Sequence, residues 1–455
     1  MYIINELEIV DTDKQTTIVN LINGNADLIE ESVAKKIRNK NYKDIDIKYQ
    51  EELIKRKYAF RNETEYKSYL KEFDSKLIKE SELEAPNFVY IPTYQCNLNC
   101  YYCFEKAYEK NLNDNMGLNH NVDKLFDAMN SIIEKLEERY QCSYRHEDIP
   151  LTLTGGEALL ESNYDIIKNI FMRCQEERFP ISIVTNGTTL ECYFDIIREY
   201  HIKKVQVTLD GGKSIHDKIR ITSKGEGTYD CIVKNVKRLK EYVDEVSVRI
   251  NITKKNINSI PELGRIIDQN PDIEFYVYIM QQEGCCDYEN VLDEVEALKY
   301  LYNLKEQYST LNNLYIEYHG RKIIDGIFGK KMFSPKIKMC SAMQNQYIID
   351  NAGGIYKCWW GMGNKDYLIG KIEEGLRIEE EVLRDYMSRT VLKIEKCKKC
   401  KYRYLCGGAC SGRLTRENLK QGEVLCPDFS RIFNYVIPYK LEKMEERAVA
   451  YENQQ

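Results

Sequence analysis

Cys96, Cys100 and Cys103 stand together in the run Cys96-Asn97-Leu98-Asn99-Cys100-Tyr101-Tyr102-Cys103. Three thiolates on one short loop can hold three irons of a [4Fe–4S] cube. No fourth cysteine follows nearby, so the fourth iron would stay open to a substrate or cofactor. Two plainer readings share the spacing: a zinc site, since thiolates at short spacing also bind zinc, and three unrelated buried cysteines. Downstream, Leu151-Thr152-Leu153-Thr154-Gly155-Gly156-Glu157 is an apolar, β-rich run ending in two glycines and an acid. Glycine allows the backbone to approach a ligand closely, and a carboxylate there can accept a charge-assisted hydrogen bond from an ammonium group. An ordinary strand-to-helix turn would read the same way.

A second group lies near the C-terminal end. Of 16 cysteines, seven fall between 340 and 426, as Cys340-x12-Gly353-x4-Cys358 and then Cys397-x2-Cys400-x5-Cys406-x3-Cys410-x15-Cys426. Auxiliary iron–sulfur clusters, zinc ribbons and disulfides all use such patterns. Disulfides fit poorly beside an oxygen-labile cluster loop in a chain whose first residues lack a basic and apolar signal segment. Cys142, Cys174, Cys192 and Cys231 sit in helix-like or mixed contexts and read as ordinary core or surface cysteines.

Taken together these motifs resemble the radical S-adenosylmethionine (SAM) enzymes, and the seven-cysteine spacing resembles their SPASM extension. Two further strings carry the likeness: Ile181-Ser182-Ile183-Val184-Thr185-Asn186-Gly187, and Val205-Gln206-Val207-Thr208-Leu209-Asp210-Gly211 with Arg220 downstream. The resemblance implies that Cys96, Cys100 and Cys103 hold the cluster that binds and cleaves SAM. It implies that Tyr102 packs against that cluster, that Gly155, Gly156 and Glu157 meet the SAM ammonium, and that Asn186, Thr208, Arg220 and Asn251 belong to the SAM pocket or its support. A surface salt bridge is the plain alternative for Arg220, and His216 reads as structural. By the same resemblance Cys397, Cys400, Cys406 and Cys426 hold one auxiliary cluster, and Cys340, Cys358 and Cys410 hold another that lacks one protein thiolate. That gives SAM and three [4Fe–4S] clusters as cofactors. A substrate thiol or a stray cysteine, with Cys285-Cys286 the nearest upstream, would complete the last cluster.

The segment from about 86 to 430 resembles radical SAM/SPASM maturases of ribosomally made peptides, which often form thioether bonds between a cysteine sulfur and a carbon. The implied partners are a precursor peptide with a leader and a reductant such as flavodoxin or ferredoxin. Sulfatase-type maturases, which make formylglycine, are the alternative, together with carbon–carbon or epimerising peptide enzymes. In the sulfatase-type relatives an aspartate follows the cysteine of the Gly-x4-Cys segment and acts as base. Here Trp359 stands in that place, with Trp360 next.

The elements that must position these residues alternate. β-rich runs near 88–94, 150–154, 181–185, 204–209, 246–252 and 273–279 are separated by helix-like stretches, which predicts βαβ units and a parallel sheet. The fold class expected is α/β: by resemblance, a partial (β/α)6 TIM-like radical SAM barrel over 86–315, with a SPASM domain over 316–455. Residues 1–85 form a small α+β unit, with two short strands around Asn23-Gly24-Asn25 and helices over about 30–38, 49–57 and 63–79. By the resemblance it is expected to be a winged-helix-like leader-binding or docking element, or else a cap over the barrel edge. A chain of 455 residues with 43% hydrophobic and 30% charged residues fits a globular protein of two or three domains. No apolar run approaches about 18 residues, so no membrane span is expected. The net charge of −6 argues against a nucleic-acid partner, and Lys203-Lys204 and the run from Lys396 to Lys401 read as solvated faces. A cytoplasmic, low-oxygen setting follows.

Overall fold

The computed structural model describes residues 1–103, 105, 121–280, 290–329, 333–372, 375–412 and 414–452. In the N-terminal unit, β1 (Tyr2–Ile3) pairs with β5 (Ala59–Phe60), while β2 (Leu7–Asp11), β3 (Thr16–Asn20) and β4 (Ala26–Ile29) form an antiparallel sheet in that order. Asn20 sets the turn between β3 and β4. Its Oδ1 accepts from the Ile22 amide at 2.8 Å and its Nδ2 donates to the Lys57 carbonyl at 2.7 Å. The helices Glu31–Arg38, Ile47–Lys55 and Glu63–Leu83 lie close to their expected bounds. Asn62 starts the last one by accepting from the Glu65 amide at 2.9 Å, the usual service of an asparagine cap.

The six expected strands are present as β6 (Asn87–Ile91), β7 (Leu151–Leu153), β8 (Ile181–Thr185), β9 (Lys204–Thr208), β10 (Glu245–Ile252) and β11 (Glu274–Ile279). They are parallel and adjacent in chain order, and a seventh, β12 (Tyr315–Glu317), continues the series beside β11. The helices Val122–Tyr140, Tyr164–Glu177, Phe194–Glu199, Tyr229–Leu239, Gly264–Asp268 and Glu294–Gln307 fill the crossovers. Such sheets are covered on both faces, so their strands are apolar throughout: Phe88, Val89, Tyr90 and Ile91 are all buried. Parallel strands taken in chain order bring all their C-terminal ends to one edge, where ligands of α/β sheets bind. On the other side of β6, β13 (Gln346–Asp350) pairs parallel to it. The antiparallel strands β14 (Gly354–Tyr356), β15 (Leu368–Ile372) and β16 (Leu376–Ile378) follow. The cysteine-rich end therefore shares one 11-stranded sheet with the parallel core.

The N-terminal unit is bound to that cysteine-rich end by buried charge. Glu6 and Glu8 are 3% and 4% exposed. Glu6 accepts from Tyr66 at 2.5 Å and pairs with Arg403 at 2.7 Å; Glu8 takes Lys401 at 2.9 Å and the Tyr402 hydroxyl. Tyr404 donates to Asp74 at 2.7 Å. Lys401 is thus part of an internal contact and not of a solvated lysine run. Glu6→Ala leaves Arg403 and Tyr66 without their acceptor, and breaking a buried pair this way costs about 3–5 kcal/mol. Proteolysis across a urea series should release the N-terminal unit at lower urea in this variant; an unchanged midpoint would mean the pair contributes nothing.

Candidate active site

The loop carrying Cys96, Cys100 and Cys103 begins where β6 ends. Its first residues lie on the turn after β7 through backbone hydrogen bonds, Gly156 N to Thr93 O at 3.2 Å and Glu157 N to Gln95 O at 2.8 Å. The approach is too close for any side chain. A Cβ on Gly156 would stand 2.3 Å from the Gln95 carbonyl oxygen and 2.4 Å from that of Tyr94. On Gly155, whose φ is +126°, it would stand 2.5 Å from the Thr93 oxygen. Both glycines serve contact with the cysteine loop itself. On its far side the loop pairs with the segment after the helix Lys213–Ile219, through Asn99 N to Ile221 O at 2.8 Å and a bridge between Leu98 and Thr222.

Glu157 is 1% exposed and lies under this loop. Its Oε1 accepts from Thr185 Oγ1 at 2.6 Å and Leu159 N at 3.0 Å, and its Oε2 from Asn186 N at 2.6 Å. A carboxylate has about four acceptor positions, so one on Oε2 is left over. Burial pushes its pKa up, and these three donors pull against that. Asn186 returns the connection by donating to Asn97 Oδ1 at 2.8 Å, and Asn97 donates to Thr188 at 2.9 Å. Leu98 N points at Cys96 Sγ from 3.4 Å. Burial nevertheless pushes the Cys96 thiol up to about 12, with Glu157, Cys100 and Cys103 adding to the shift.

The hydroxyl of Tyr102 belongs to a second network. Its hydroxyl donates to Asp210 Oδ2 and accepts from Arg220 Nη1 at 2.6 Å and Asn251 Nδ2 at 3.3 Å. Arg220 is buried against the fully buried Asp210 at 3.4 Å, so it is not a surface pair, and its Nε has no partner among the described residues. Asp210 Oδ1 accepts from Asn251 N at 2.9 Å. His216 is fully buried: its Nδ1 accepts from Asp210 N at 3.1 Å and its Nε2 meets Thr228 Oγ1 at 3.1 Å. Burial pushes its pKa down to about 3, and it stays a neutral strut. Thr208 ends β9 opposite Arg249, two residues before Asp210. All the residues expected around the first cysteine loop therefore meet at the C-terminal edge of the sheet. Asp210, which ties Tyr102, Arg220 and Asn251 together, stood in a quoted string without a role of its own. Glu105 is a further buried carboxyl there. Burial, then the charge of Glu157, pushes it up to about 7, and its Oε2 lacks a partner among the described residues.

At the C-terminal end, burial pushes the Cys397 thiol up to about 11, and the thiols of Cys406, Cys400 and Cys426 add to it. Cys340 and Cys358 share an apolar cluster with Tyr386 and Leu414, and a Cβ on Gly412 would stand 2.7 Å from Cys358 Sγ. Backbone amides face these sulfurs: Ala409 N lies 3.2 Å from Cys406 Sγ, and the Ala342 and Met343 amides bear on Cys340. Amide dipoles favour thiolate over thiol, and hydrogen bonds to sulfur are a normal part of iron–sulfur sites. The donor set fits such clusters. All 14 described cysteines are free thiols. Among the described residues no three His, Cys, Asp or Glu side chains are drawn up around a single ion, which for thiolates would need sulfurs about 3.8 Å apart. Cys174 is core, Cys192 and Cys231 are exposed, and Cys285-Cys286 lie outside the described residues. Trp359 packs beside Val89, Ile91 and Tyr94, and Trp360 beside Cys358 and Tyr386.

A cavity of about 820 Å³ joins the three parts of the chain. Its lining includes Glu84, Tyr278, His319, Lys336, Cys406 and Cys410. Arg249 lies 4.1 Å over the Tyr278 ring and donates to Asn251 at 2.8 Å, which links this wall to the Tyr102 network. His319 Nδ1 meets Glu294 at 2.8 Å, a His–acid dyad that no sequence spacing signals.

Residues 90–265 match the family model described as the radical SAM superfamily. A cysteine-type anaerobic sulfatase-maturating enzyme of Clostridium novyi is 26% identical over 362 residues, which is 74% of this chain and 91% of that protein. The radical SAM cyclopropyl synthase TigE of Paramaledivibacter caminithermalis is 24% identical over 392 residues, 82% of this chain and 76% of that protein. Native anSMEcpe with bound AdoMet has a similar fold, with a TM-score of 0.56 at 18% identity over 78% of this chain and 99% of its own. So does Streptococcus suis SuiB bound to precursor peptide SuiA, with a TM-score of 0.52 at 16% identity over 92% of this chain and 100% of its own. The three-cysteine loop seated at the C-terminal edge of the parallel sheet lies inside the matched segment, so the chain carries a radical SAM domain and is similar along most of its length to radical SAM enzymes.

Proposed function

We propose that this enzyme modifies a ribosomally made precursor peptide and joins a cysteine sulfur to a carbon. The observation that carries the proposal is the grouping of Cys340 and Cys358 around one apolar site, with Cys410 on the turn that follows Cys406. Three thiolates there leave an iron for the thiol of a substrate cysteine, which would be deprotonated and held in place by it. When bound, the first cluster supplies the electron that cleaves SAM, and the resulting radical takes a hydrogen atom from the substrate. The protein's part is positional. Cys96, Cys100 and Cys103 hold the first cluster, while the free position on Glu157 and the unpartnered Nε of Arg220 face opposite charges of a zwitterionic ligand. Two auxiliary clusters, on Cys397, Cys400, Cys406 and Cys426 and on Cys340, Cys358 and Cys410, complete the set of three. Flavodoxin or ferredoxin is the proposed reductant. The parallel strands form an open (β/α)6 partial barrel over 86–315, followed by the SPASM domain over 316–455. The reactive stretch of peptide lies in the cavity that reaches Cys410.

Residues 1–85 dock the leader. β4 is the open edge of its sheet, and a groove of about 460 Å³ runs between it and the helix Ile47–Lys55, lined by Leu28, Ile29, Tyr49 and Leu53. Leu28 is 60% exposed there. An extended leader adding a strand to this edge would satisfy its open backbone groups and cover the apolar side chains. The second reading is formylglycine formation, favoured by the relatedness to a cysteine-type sulfatase-maturating enzyme. Trp359 weighs against it, because a tryptophan cannot take the proton that the acid at that position takes.

Three outcomes are expected. Co-expressed anaerobically with a short cysteine-containing peptide encoded beside its gene, the enzyme should remove two hydrogen atoms and leave one thiol fewer to alkylate; loss of sulfur from the cysteine would favour the formylglycine reading. Gly156→Ala should expel the first loop from its seat, so that iron per chain falls by about a third while the C-terminal clusters persist; full iron content would contradict the assignment of that loop. Leu28→Glu should weaken leader binding about tenfold in fluorescence anisotropy, with uncoupled SAM cleavage unchanged. Undiminished affinity would put the leader elsewhere.

A further inference from the structure

The cysteine-rich end contains buried positive charge that no carboxylate among the described residues pairs with. Arg389 follows the helix Glu380–Met387 and is 5% exposed. Its Nη2 donates to the carbonyls of Gly408 at 3.3 Å and Glu423 at 2.5 Å. Its Nε and Nη1 are buried with no hydrogen-bond partner among the described residues. Gly408 belongs to the turn between Cys406 and Cys410, in which Gly407, Gly408 and Ala409 have φ of +68°, +95° and +59°. That run of left-handed residues folds the turn so that the Ala409 amide meets Cys406 Sγ while the Gly408 carbonyl faces Arg389. Burial pushes the pKa of Arg389 down, and Cys397, Cys406 and Cys410 in their thiolate form pull it back up; these cysteines come from both proposed cluster sets.

Lys357 repeats the pattern beside Cys358. It is fully buried, donates to the Gln344 carbonyl at 2.7 Å, and lies 4.1 Å over the Tyr347 ring. A lysine in such a place can lose its proton, whereas a guanidinium keeps its charge. A buried cation with dry N–H groups is costly unless an anion answers it.

We infer that Arg389 is the counter-charge and hydrogen-bond donor of the iron–sulfur clusters at the C-terminal cysteines, with its Nε–H and Nη1–H directed at their sulfurs, and that it raises their reduction potential. The inference rests on the reading that those cysteines hold clusters. One-electron reduction adds a negative charge to a thiolate-ligated cluster, so a fixed cation nearby favours the reduced form. Hydrogen bonds to the sulfurs act in the same direction. A higher potential suits a cluster that must accept the surplus electron of an oxidised substrate.

The test is a dithionite titration of the anaerobically purified holoenzyme, followed by electron paramagnetic resonance, in the wild type, Arg389→Met and Arg389→Lys. Arg389→Met keeps the length of the side chain and removes its charge. It should lower the midpoint of an auxiliary signal by about 59 mV or more, a tenfold change in the one-electron equilibrium, and leave the first-loop signal in place. Arg389→Lys should recover most of the shift. If Arg389→Met loses C-terminal iron, its retention in Arg389→Lys supports the counter-charge; loss in both variants overturns it in favour of a structural prop. Full iron content with unchanged midpoints in Arg389→Met also overturns it. Wild-type enzyme loaded only at the first loop would instead overturn the cluster reading beneath it.

Discussion

The contact on which the rest of the site depends is the seating of the first cysteine loop on Gly155 and Gly156. The two hydrogen bonds across it continue the pairing of β6 and β7 past their ends, so the start of the loop is as fixed as the sheet. There is no room for a Cβ on either glycine, and the approach could not be reproduced with alanine. It turns Glu157 inward beneath the loop, where the carboxylate holds Asn186, and Asn186 reaches back to Asn97. Three motifs far apart in the chain thereby become one hydrogen-bonded unit. A site that must keep three thiolates in register gains from support of this kind, because the positions of ligands are set by what stands behind them.

The same principle explains the spacing at the other end of the chain. The residues between Cys400 and Cys406 include Lys401, Tyr402, Arg403 and Tyr404, which grip Glu8, Glu6 and Asp74 of the N-terminal unit. Cys397 and Tyr404 also belong to that unit's hydrophobic cluster. A loop that carries two cysteines is thus the floor on which the N-terminal unit stands. Any change in how the N-terminal unit sits must pass through residues flanking those sulfurs, which ties the proposed leader dock to the proposed clusters without an intervening linker.

The chemistry-bearing motifs were legible in the sequence because they are made of rare residue types at fixed spacing, and β6 to β11 because strands buried on both faces are apolar throughout. What was not legible depends on long-range pairing. β2 contains the buried Glu8, whose partners lie nearly 400 positions away, so its pattern does not read as a strand. β12 has three residues, too few for a period. The glycine pair also meets the backbone of Thr93, Tyr94 and Gln95, a contact that the motif alone does not signal. The hydroxyl of Tyr102 organises Asp210, Arg220 and Asn251, partners that its place in the cysteine loop does not reveal. The dyad of His319 and Glu294 joins two separate elements and leaves no local trace.

The two buried arginines show how differently the two cysteine regions are prepared. Arg220 has a carboxylate at 3.4 Å and a hydroxyl at 2.6 Å, and it keeps one nitrogen unpartnered. Its charge is already offset within the protein, so that pocket presents both signs over a short distance. Among the described residues Arg389 has two carbonyls and two unpartnered nitrogens but no carboxylate, so its surroundings present a single sign. SAM carries a carboxylate, an ammonium and a sulfonium, and a pocket of mixed sign can orient such a ligand without favouring any one simple ion. A thiolate-ligated cluster is anionic as a whole, and a buried unshared cation is what opposes it. The balance of charge in each region therefore matches what each region is proposed to hold, an argument separate from the cysteine spacing that first suggested it.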